Sequence, residues 1–79
     1  MSIIYTKHAL WRMKIRNIST LQVEQTVNEA NQINSDNFGN KIAQKQYGSY
    51  LIRVIFKIEN KNKLIITAYR TSKVSKYKS

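Results

Sequence analysis

The spacing of apolar residues changes once along this chain, on either side of the polar segment 34–40. Before this segment the apolar residues recur every three or four positions, as on one face of a helix; after it they alternate with polar residues, as in a strand. The segment itself is rich in Asn, Asp, Ser and Gly, which is typical of a loop. This order predicts helices first and an antiparallel sheet afterwards, an α+β fold.

The length of the chain limits this fold to one core. With 79 residues we expect a single domain over 1–79, ending in a basic C-terminal tail over 71–79. The chain has no cysteine, so no disulfide stabilises a core of this small size.

Two helices are predicted from capping residues and from the apolar spacing. Thr6 is expected to cap a helix that extends to about Arg16, with Asn17 ending it in the left-handed conformation. Ser19 and Gln22 have the spacing of a capping box, so a second helix is expected to begin there. The residues expected to face the core are Ala9, Leu10 and Met13 in the first helix and Val23, Val27 and Ala30 in the second.

Three strands are predicted in the second half, at 41–47, 50–59 and 63–70, because these segments alternate and are rich in Ile, Val, Tyr and Phe. Gly48 and Ser49 are expected to form a two-residue hairpin turn, and 60–62 a three-residue turn. We therefore expect two N-terminal helices packed on one face of a three-stranded antiparallel sheet.

The register of the two hairpins predicts which side chains share a face. The first turn would pair Tyr47 with Tyr50, and the second would pair Ile58 with Leu64. The face covered by the helices would then carry Ala43, Tyr47, Tyr50, Ile52, Val54, Phe56, Ile58, Leu64, Ile66 and Ala68.

The opposite face is predicted to carry one cross-strand row of Gln44, Arg53 and Tyr69. A slip of one residue in either turn would reverse this assignment. Arg53 is a lone cation in the longest and most apolar strand, so it needs either open solvent or an anion.

Positive charge is concentrated in the second half of the chain. The formal net charge is +10, and ten of the fourteen cations lie in 41–79, where Glu59 is the only acidic residue. Such a surplus repels itself in a folded protein, which favours a polyanionic partner such as RNA, or an acidic protein. The alternative is a lysine-rich surface without a specific partner.

His8, Arg12 and Arg16 are spaced four residues apart in the first predicted helix. Residues at this spacing lie one above the other, so an imidazole and two guanidiniums would form one stripe. An imidazole can transfer protons near neutral pH, and a guanidinium holds an anion through two parallel hydrogen bonds. The stripe is therefore a candidate phosphate-binding site.

Two segments resemble a family of short bacterial proteins of unassigned function that is similar in layout to the BrnT and RelE groups of toxin–antitoxin ribonucleases. They are His8-Ala9-x-x-Arg12-Met13-x-x-Arg16-x-Ile18-Ser19 and Ile66-Thr67-Ala68-Tyr69-Arg70-Thr71-Ser72-Lys73. The resemblance implies a compact domain of helices followed by an antiparallel sheet, mRNA as substrate, either free or on the ribosome, and an acidic antitoxin as partner.

The resemblance also implies a metal-independent ribonuclease site. RNA supplies its own 2′-hydroxyl nucleophile, so the enzyme moves protons and neutralises the phosphate. We expect His8 to carry the proton, Arg12 with Arg53 or Arg70 to bind the scissile phosphate, and Tyr69 to donate a hydrogen bond or stack on a base. The residues expected to contact the rest of the RNA are Arg16, Thr67, Arg70, Lys73 and Lys76.

Each of these roles has a structural alternative. His8 could bond to a nearby carbonyl, Arg12 and Arg16 could pair with acidic residues of the second helix, Glu24 and Glu29, and Tyr69 could be a sheet residue. A separate alternative for the whole protein is a non-catalytic RNA- or DNA-binding module that uses the same basic face.

Other classes of site are not expected. Without cysteine and with a single histidine, the chain has no set of ligands for a thiolate or histidine-rich metal site, and no cofactor is predicted. No stretch approaches the roughly 20 apolar residues that a membrane span needs, and the N-terminus lacks a signal-peptide layout. We expect a cytoplasmic protein.

Overall fold

The chain forms one five-stranded mixed sheet with three short helices. In a computed structural model, residues 2–77 are described, and no helix among them is long and apolar enough to cross a membrane. The elements are β1 (Ile3–Tyr5), α1 (Lys7–Ile15), α2 (Thr20–Asn28), β2 (Gln32–Ser35), β3 (Lys41–Tyr47), β4 (Tyr50–Glu59), β5 (Asn62–Thr71) and α3 (Val74–Tyr77). The strand order is β1-β5-β4-β3-β2, with β1 parallel to β5 and the other pairs antiparallel.

The predicted three-stranded antiparallel sheet is therefore wrong in strand number and in direction. β1 has only three residues, too few to show an alternating pattern, and its partner β5 lies at the far end of the chain. β2 lies at the sheet edge and is polar and mostly exposed, so its last two residues fall within the polar segment 34–40 that the sequence predicts to be a loop. The third helix, α3, lies in the predicted tail, of which residues 78 and 79 are outside the described residues.

The boundaries of α1 follow the prediction. The Thr6 hydroxyl accepts a hydrogen bond from the Ala9 amide at 2.9 Å, as an N-cap does. Asn17 has a φ of 54°, so it ends the segment in the left-handed region. Ala9 and Met13 are buried as expected, but Leu10 is exposed, because the helix covers the sheet with a narrower stripe than predicted.

The capping box of α2 is also confirmed. Ser19 and Gln22 bond to each other's backbone amides at 3.1 and 3.0 Å. Val23 and Val27 are buried beneath the helix. Farther along the helix, the Thr26 hydroxyl donates to the Gln22 carbonyl at 2.7 Å and lies 3.2 Å from the Tyr47 hydroxyl, which links α2 to β3.

The first hairpin has the predicted register and the second does not. Tyr47 pairs with Tyr50 across Gly48 and Ser49. In the second hairpin Ile58 pairs with Lys63 rather than Leu64, because the turn has two residues, Asn60 and Lys61, instead of three. Both turn residues have positive φ, 51° and 67°, as in a type I′ turn.

A β-bulge in β5 compensates for this shorter turn. Phe56 pairs with Ile65 and Ile55 pairs with Thr67, so Ile66 has no partner on β4. Beyond the bulge the predicted register holds again, and Arg53 lies opposite Tyr69. On the core side, Ile65 is fully buried in place of the predicted Leu64 and Ile66.

The core lies between the sheet and the two longer helices. Its buried residues are Ala9, Met13, Ile18, Val23, Val27, Ala43, Ile52, Val54, Phe56, Ile65 and Ala68. Tyr5 packs against this cluster, and its hydroxyl donates to Glu24 at 3.2 Å. Burial, and then the adjacent Glu24 carboxylate, raise the pKa of Tyr5 to about 12.

The second turn generates a stability prediction. Lys61 has a φ of 67°, a region that glycine enters without strain. We expect Lys61→Gly to raise the free energy of unfolding by about 0.5–1 kcal/mol and the Tm by about 2 to 8 °C. Thermal unfolding of both proteins measures the change in Tm. Ser49→Gly is the control, because Ser49 has no positive φ, and it should lower the Tm; a loss of stability in both variants would contradict the turn geometry.

Candidate nucleic-acid interface

Arg53 lies at the centre of the polar face of the sheet, the face turned away from the core. Its Nε donates to the Gln44 Oε1 on β3 at 3.2 Å, and its NH1 donates to the Tyr69 hydroxyl on β5 at 2.6 Å. Arg53 is only 9% exposed, so these partners satisfy donors that would be costly to bury alone. The predicted row of Gln44, Arg53 and Tyr69 is confirmed.

Tyr77 of α3 covers the outer side of Arg53. The guanidinium carbon lies 4.0 Å from the centre of the Tyr77 ring, within the range of a cation–π contact. The Gln44 amide nitrogen donates to the Tyr77 carbonyl at 2.9 Å. The one-turn helix α3 is therefore fastened to the polar face at Tyr77.

The Tyr77 hydroxyl is in a cationic environment. Burial pushes the pKa of this phenol upward, but the charge of Lys76, a hydrogen bond with Tyr69 and the charge of Arg53 together hold the pKa below its usual value of 10.0. The surroundings thus favour the phenolate, as expected on a face with surplus positive charge.

Arg16, at the C-terminal end of α1, reaches the edge of β5. β1 ends at Tyr5, opposite Ile65, and α1 packs against β5 beyond that point. Arg16 donates to the Ala68 carbonyl at 2.9 Å and lies 3.4 Å from the Thr67 hydroxyl. Since alternate residues of a strand point to the same side, Thr67 is on the face that carries Tyr69. Arg16 therefore links the end of the α1 stripe to the strand that carries Tyr69.

Arg12 and His8 complete the stripe on α1. Arg12 is half-buried, its guanidinium carbon lies 5.4 Å from the Trp11 ring centre, and its buried Nε has no hydrogen-bond partner within residues 2–77. His8 is exposed, with its ring centre 6.2 Å from that of Trp11. Arg16 lies eight positions after His8, about 12 Å along a helix axis. His8 is therefore at the end of the stripe farthest from the contact of Arg16 with β5.

The acidic side chains of α2 do not neutralise this stripe. Glu24 accepts from Tyr5, and Glu29 lies 3.9 Å from Lys45, the one ion pair within the described residues. Asp36 accepts hydrogen bonds from the backbone amides of Phe38 and Asn40. Desolvation raises the pKa of Asp36, but these hydrogen bonds outweigh it and hold the pKa below its usual value. The alternative that Arg12 and Arg16 pair with Glu24 and Glu29 is therefore wrong. Among residues 2–77, no three His, Asp or Glu side chains are grouped as metal ligands.

Arg70 lies apart from the other predicted site residues. It donates to the Asn17 carbonyl at 3.0 Å and its guanidinium carbon lies 5.4 Å from the Tyr50 ring centre, on the helix side of the sheet. It borders a pocket of about 590 Å³ that is also lined by Met13, Lys14, Ile18, Ser19 and Gln22. Arg70 and Arg53 therefore face opposite sides and cannot hold one phosphate together.

The two predicted tail lysines have exposed positions around α3. Lys73 precedes the helix and Lys76 lies within it, with its Nζ 5.3 Å from the Tyr77 ring centre. Sequence reasoning placed Tyr77 in the tail but not in the site. The only signal was a single aromatic residue among lysines, which does not indicate where the tail folds back.

The fold and this surface define a small basic α+β protein with a polar row across a mixed sheet and a basic helix at the sheet edge. A family model described as a domain of unknown function, DUF4258, matches residues 5–70, and the chain belongs to this family. The match includes the stripe and the sheet row, and it ends before α3. Neither the curated proteins nor the solved structures that were compared gave a significant match.

The environment of Tyr77 generates a pH prediction. We expect Arg53→Met to shift the pKa of Tyr77 upward, because one of the charges that lower it is removed. The pKa of Tyr77 is lower in the folded protein than in the unfolded protein, so the phenolate stabilises the fold fully above the unfolded pKa near 10.0. This stabilisation is lost as the pH falls through the folded-state pKa.

NMR titration of the Tyr77 ring measures this pKa in both proteins. Lys57→Met is the matched control, because Lys57 is an exposed cation on the same strand as Arg53. An equal shift in both variants would mean that net charge, rather than the Arg53 contact, sets the pKa.

Proposed function

We propose that this protein is the toxin component of a type II toxin–antitoxin system of the kind represented by BrnT and RelE. It binds mRNA in the cytoplasm through the α1 stripe and the polar face of the sheet. It cleaves the RNA by attack of the 2′-hydroxyl, without a metal ion.

The observation that carries this proposal is the link between the stripe and the row. Arg16 bonds to Ala68 and reaches Thr67, and two residues farther along β5 the Tyr69 hydroxyl is bonded to Arg53. Through Arg16, the basic stripe of α1 thus reaches the edge of the sheet surface that carries Tyr69 and Arg53. No carboxylate in the described residues is bonded to a guanidinium on it, so its charge is available to a polyanion.

The reaction requires three events that these side chains can support. The 2′-oxygen attacks phosphorus as its proton is removed, the bond to the 5′-oxygen breaks, and a proton is delivered to that oxygen, leaving a 2′,3′-cyclic phosphate and a 5′-hydroxyl. His8 moves a proton, and Arg12 and Arg16 bind the phosphate oxygens. The buried Nε of Arg12 has no partner in the part of the chain that the structure describes, so a rearrangement that gives it an acceptor would be favourable.

Arg53 acts in this proposal as a positioning residue, since it is nearly buried. Its NH1 donates to the Tyr69 oxygen, which orients the phenol and leaves the Tyr69 proton for another acceptor. On RNA, Tyr69 would donate this proton to a phosphate or base oxygen. This modifies the sequence-based role of Arg53 as a direct phosphate ligand.

The proposed partners follow from the same charge. The net charge of +10 favours an acidic antitoxin that covers the basic face, and the substrate is mRNA, either free or on the ribosome. The same positive charge would favour binding to either partner.

A second candidate function is a non-catalytic RNA-binding module. The imidazole of His8 makes a ring contact with Trp11 and no hydrogen bond within residues 2–77. A histidine that acts as a general base is commonly oriented by a second hydrogen-bonding group. This observation favours binding without cleavage unless bound RNA orients the ring.

Cleavage separates the two functions. We expect the purified protein to cut RNA in the presence of a chelator, leaving 2′,3′-cyclic phosphate ends. His8→Gln should lower the cleavage rate by about 10²- to 10⁴-fold, because glutamine retains polarity but cannot transfer the proton. Gel analysis of labelled RNA measures the rate.

Lys14→Gln is the matched control. Lys14 lies about 200° around α1 from Arg12, and replacing it removes no proton carrier. It should cut at a rate close to that of the unchanged protein. If neither purified nor expressed protein cuts RNA or slows growth, the enzyme proposal is wrong. If His8→Gln cuts normally, His8 has no role in the reaction.

Binding is expected to depend steeply on salt. With about five phosphates engaged, the logarithm of affinity for single-stranded RNA should fall with the logarithm of salt concentration at a slope of about −3.5. Arg12→Gln should reduce the slope by about 0.7, while Lys14→Gln should change it less, although both remove one charge. Equal effects of the two substitutions would mean that net charge alone drives binding.

A further inference from the structure

The guanidinium of Arg53 is held by two hydrogen bonds, and its carbon lies over the ring of Tyr77 in α3. Gln44 and Tyr69 bond to its Nε and NH1, in neighbouring strands on either side. Because these nitrogens are already bonded, Arg53 cannot offer both of them to a phosphate. Besides its NH2 group, it can offer a ligand the side on which the Tyr77 ring now lies, with the guanidinium carbon 4.0 Å from the ring centre.

The segment that covers this face is attached mainly through Tyr77. α3 contains four residues, none of them fully buried, and Ser75 and Lys76 are exposed. The contacts to the row are the Tyr77 ring on Arg53 and the Tyr77 carbonyl on Gln44. So few contacts allow the segment to leave without disturbing the core.

Departure of α3 would uncover a set of groups that suits a nucleobase. Arg53 would present a planar cation, on which a base can stack as the tyrosine ring does. The Gln44 amide would lose its bond to the Tyr77 carbonyl and could donate to a base carbonyl or ring nitrogen. Tyr69 would have its hydroxyl proton available, because Arg53 already occupies its oxygen.

We propose that Gln44, Arg53 and Tyr69 form a subsite for one unpaired nucleobase, and that Tyr77 occupies this subsite until single-stranded RNA displaces α3. The proposal rests on the proposed RNA-binding function and adds to it a self-blocking segment. It requires binding of RNA but not cleavage, so it applies equally to a non-catalytic module.

A binding experiment with the full chain tests this subsite. The probes are a single-stranded oligouridine and an abasic ribose-phosphate oligomer of the same length, and fluorescence anisotropy measures the binding of each. A segment that is docked about nine-tenths of the time lowers apparent affinity about tenfold. Tyr77→Ala should therefore bind oligouridine about tenfold more tightly than the unchanged protein and show no comparable gain on the abasic oligomer.

Two further variants test whether the gain depends on stacking against Arg53. Ser75→Ala changes an exposed residue of the same helix and should bind as the unchanged protein does. Arg53→Lys in the Tyr77→Ala background should remove the gain, because an ammonium group retains the charge but has no planar face for stacking.

Three results would overturn the proposal: unchanged or weaker oligouridine binding by Tyr77→Ala, an equal gain on the abasic oligomer, or a gain that survives Arg53→Lys. If a variant fails to fold, NMR of the unchanged protein decides, since saturating oligouridine should move the Tyr77 ring signals towards those of free tyrosine. Signals that stay in place would also overturn it.

A base-dependent gain without any cleavage would reject the ribonuclease and keep the subsite, whereas cleavage without a gain would reject the subsite alone.

Discussion

The pairing of β4 with β5 is the interaction on which the rest of this structure depends. It contributes Val54, Phe56, Ile65 and Ala68 to the core on one face. It also sets Arg53 beside its partner on the other face, and both results require the bulge at Ile66. Without the bulge, the two-residue turn would shift every pair beyond it by one residue and exchange the faces.

The polar face follows from the cost of burying Arg53. A guanidinium in a central strand needs partners on both neighbouring strands, and Gln44 and Tyr69 occupy those positions. Tyr77 then reduces the remaining exposure of Arg53 from above. One buried cation thereby connects β3, β4, β5 and α3, and Arg16 adds α1 at the edge that β1 leaves open.

Local signals predicted much of this arrangement. The caps at Thr6 and Ser19 and the turn after Tyr47 each depend on residues close in sequence, and each is confirmed. The row across the sheet was predicted from a three-residue turn that does not exist. It is present because the shorter turn and the bulge compensate for each other. Leu10, predicted in the core, is exposed because the apolar spacing does not fix how wide a stripe the sheet covers.

The sequence by itself determined the two longer helices, the long hairpins, the surplus of positive charge and the basic stripe on α1, because these depend on neighbouring residues and on composition. Only the tertiary structure decided the five-stranded mixed sheet, the separation of Arg70 from Arg53 and the position of Tyr77. β1 pairs with a strand about sixty residues away, and the last helix folds back onto the sheet. Such contacts are set by the packing of distant segments, and neither a short strand nor a single aromatic residue contains enough local pattern to specify them.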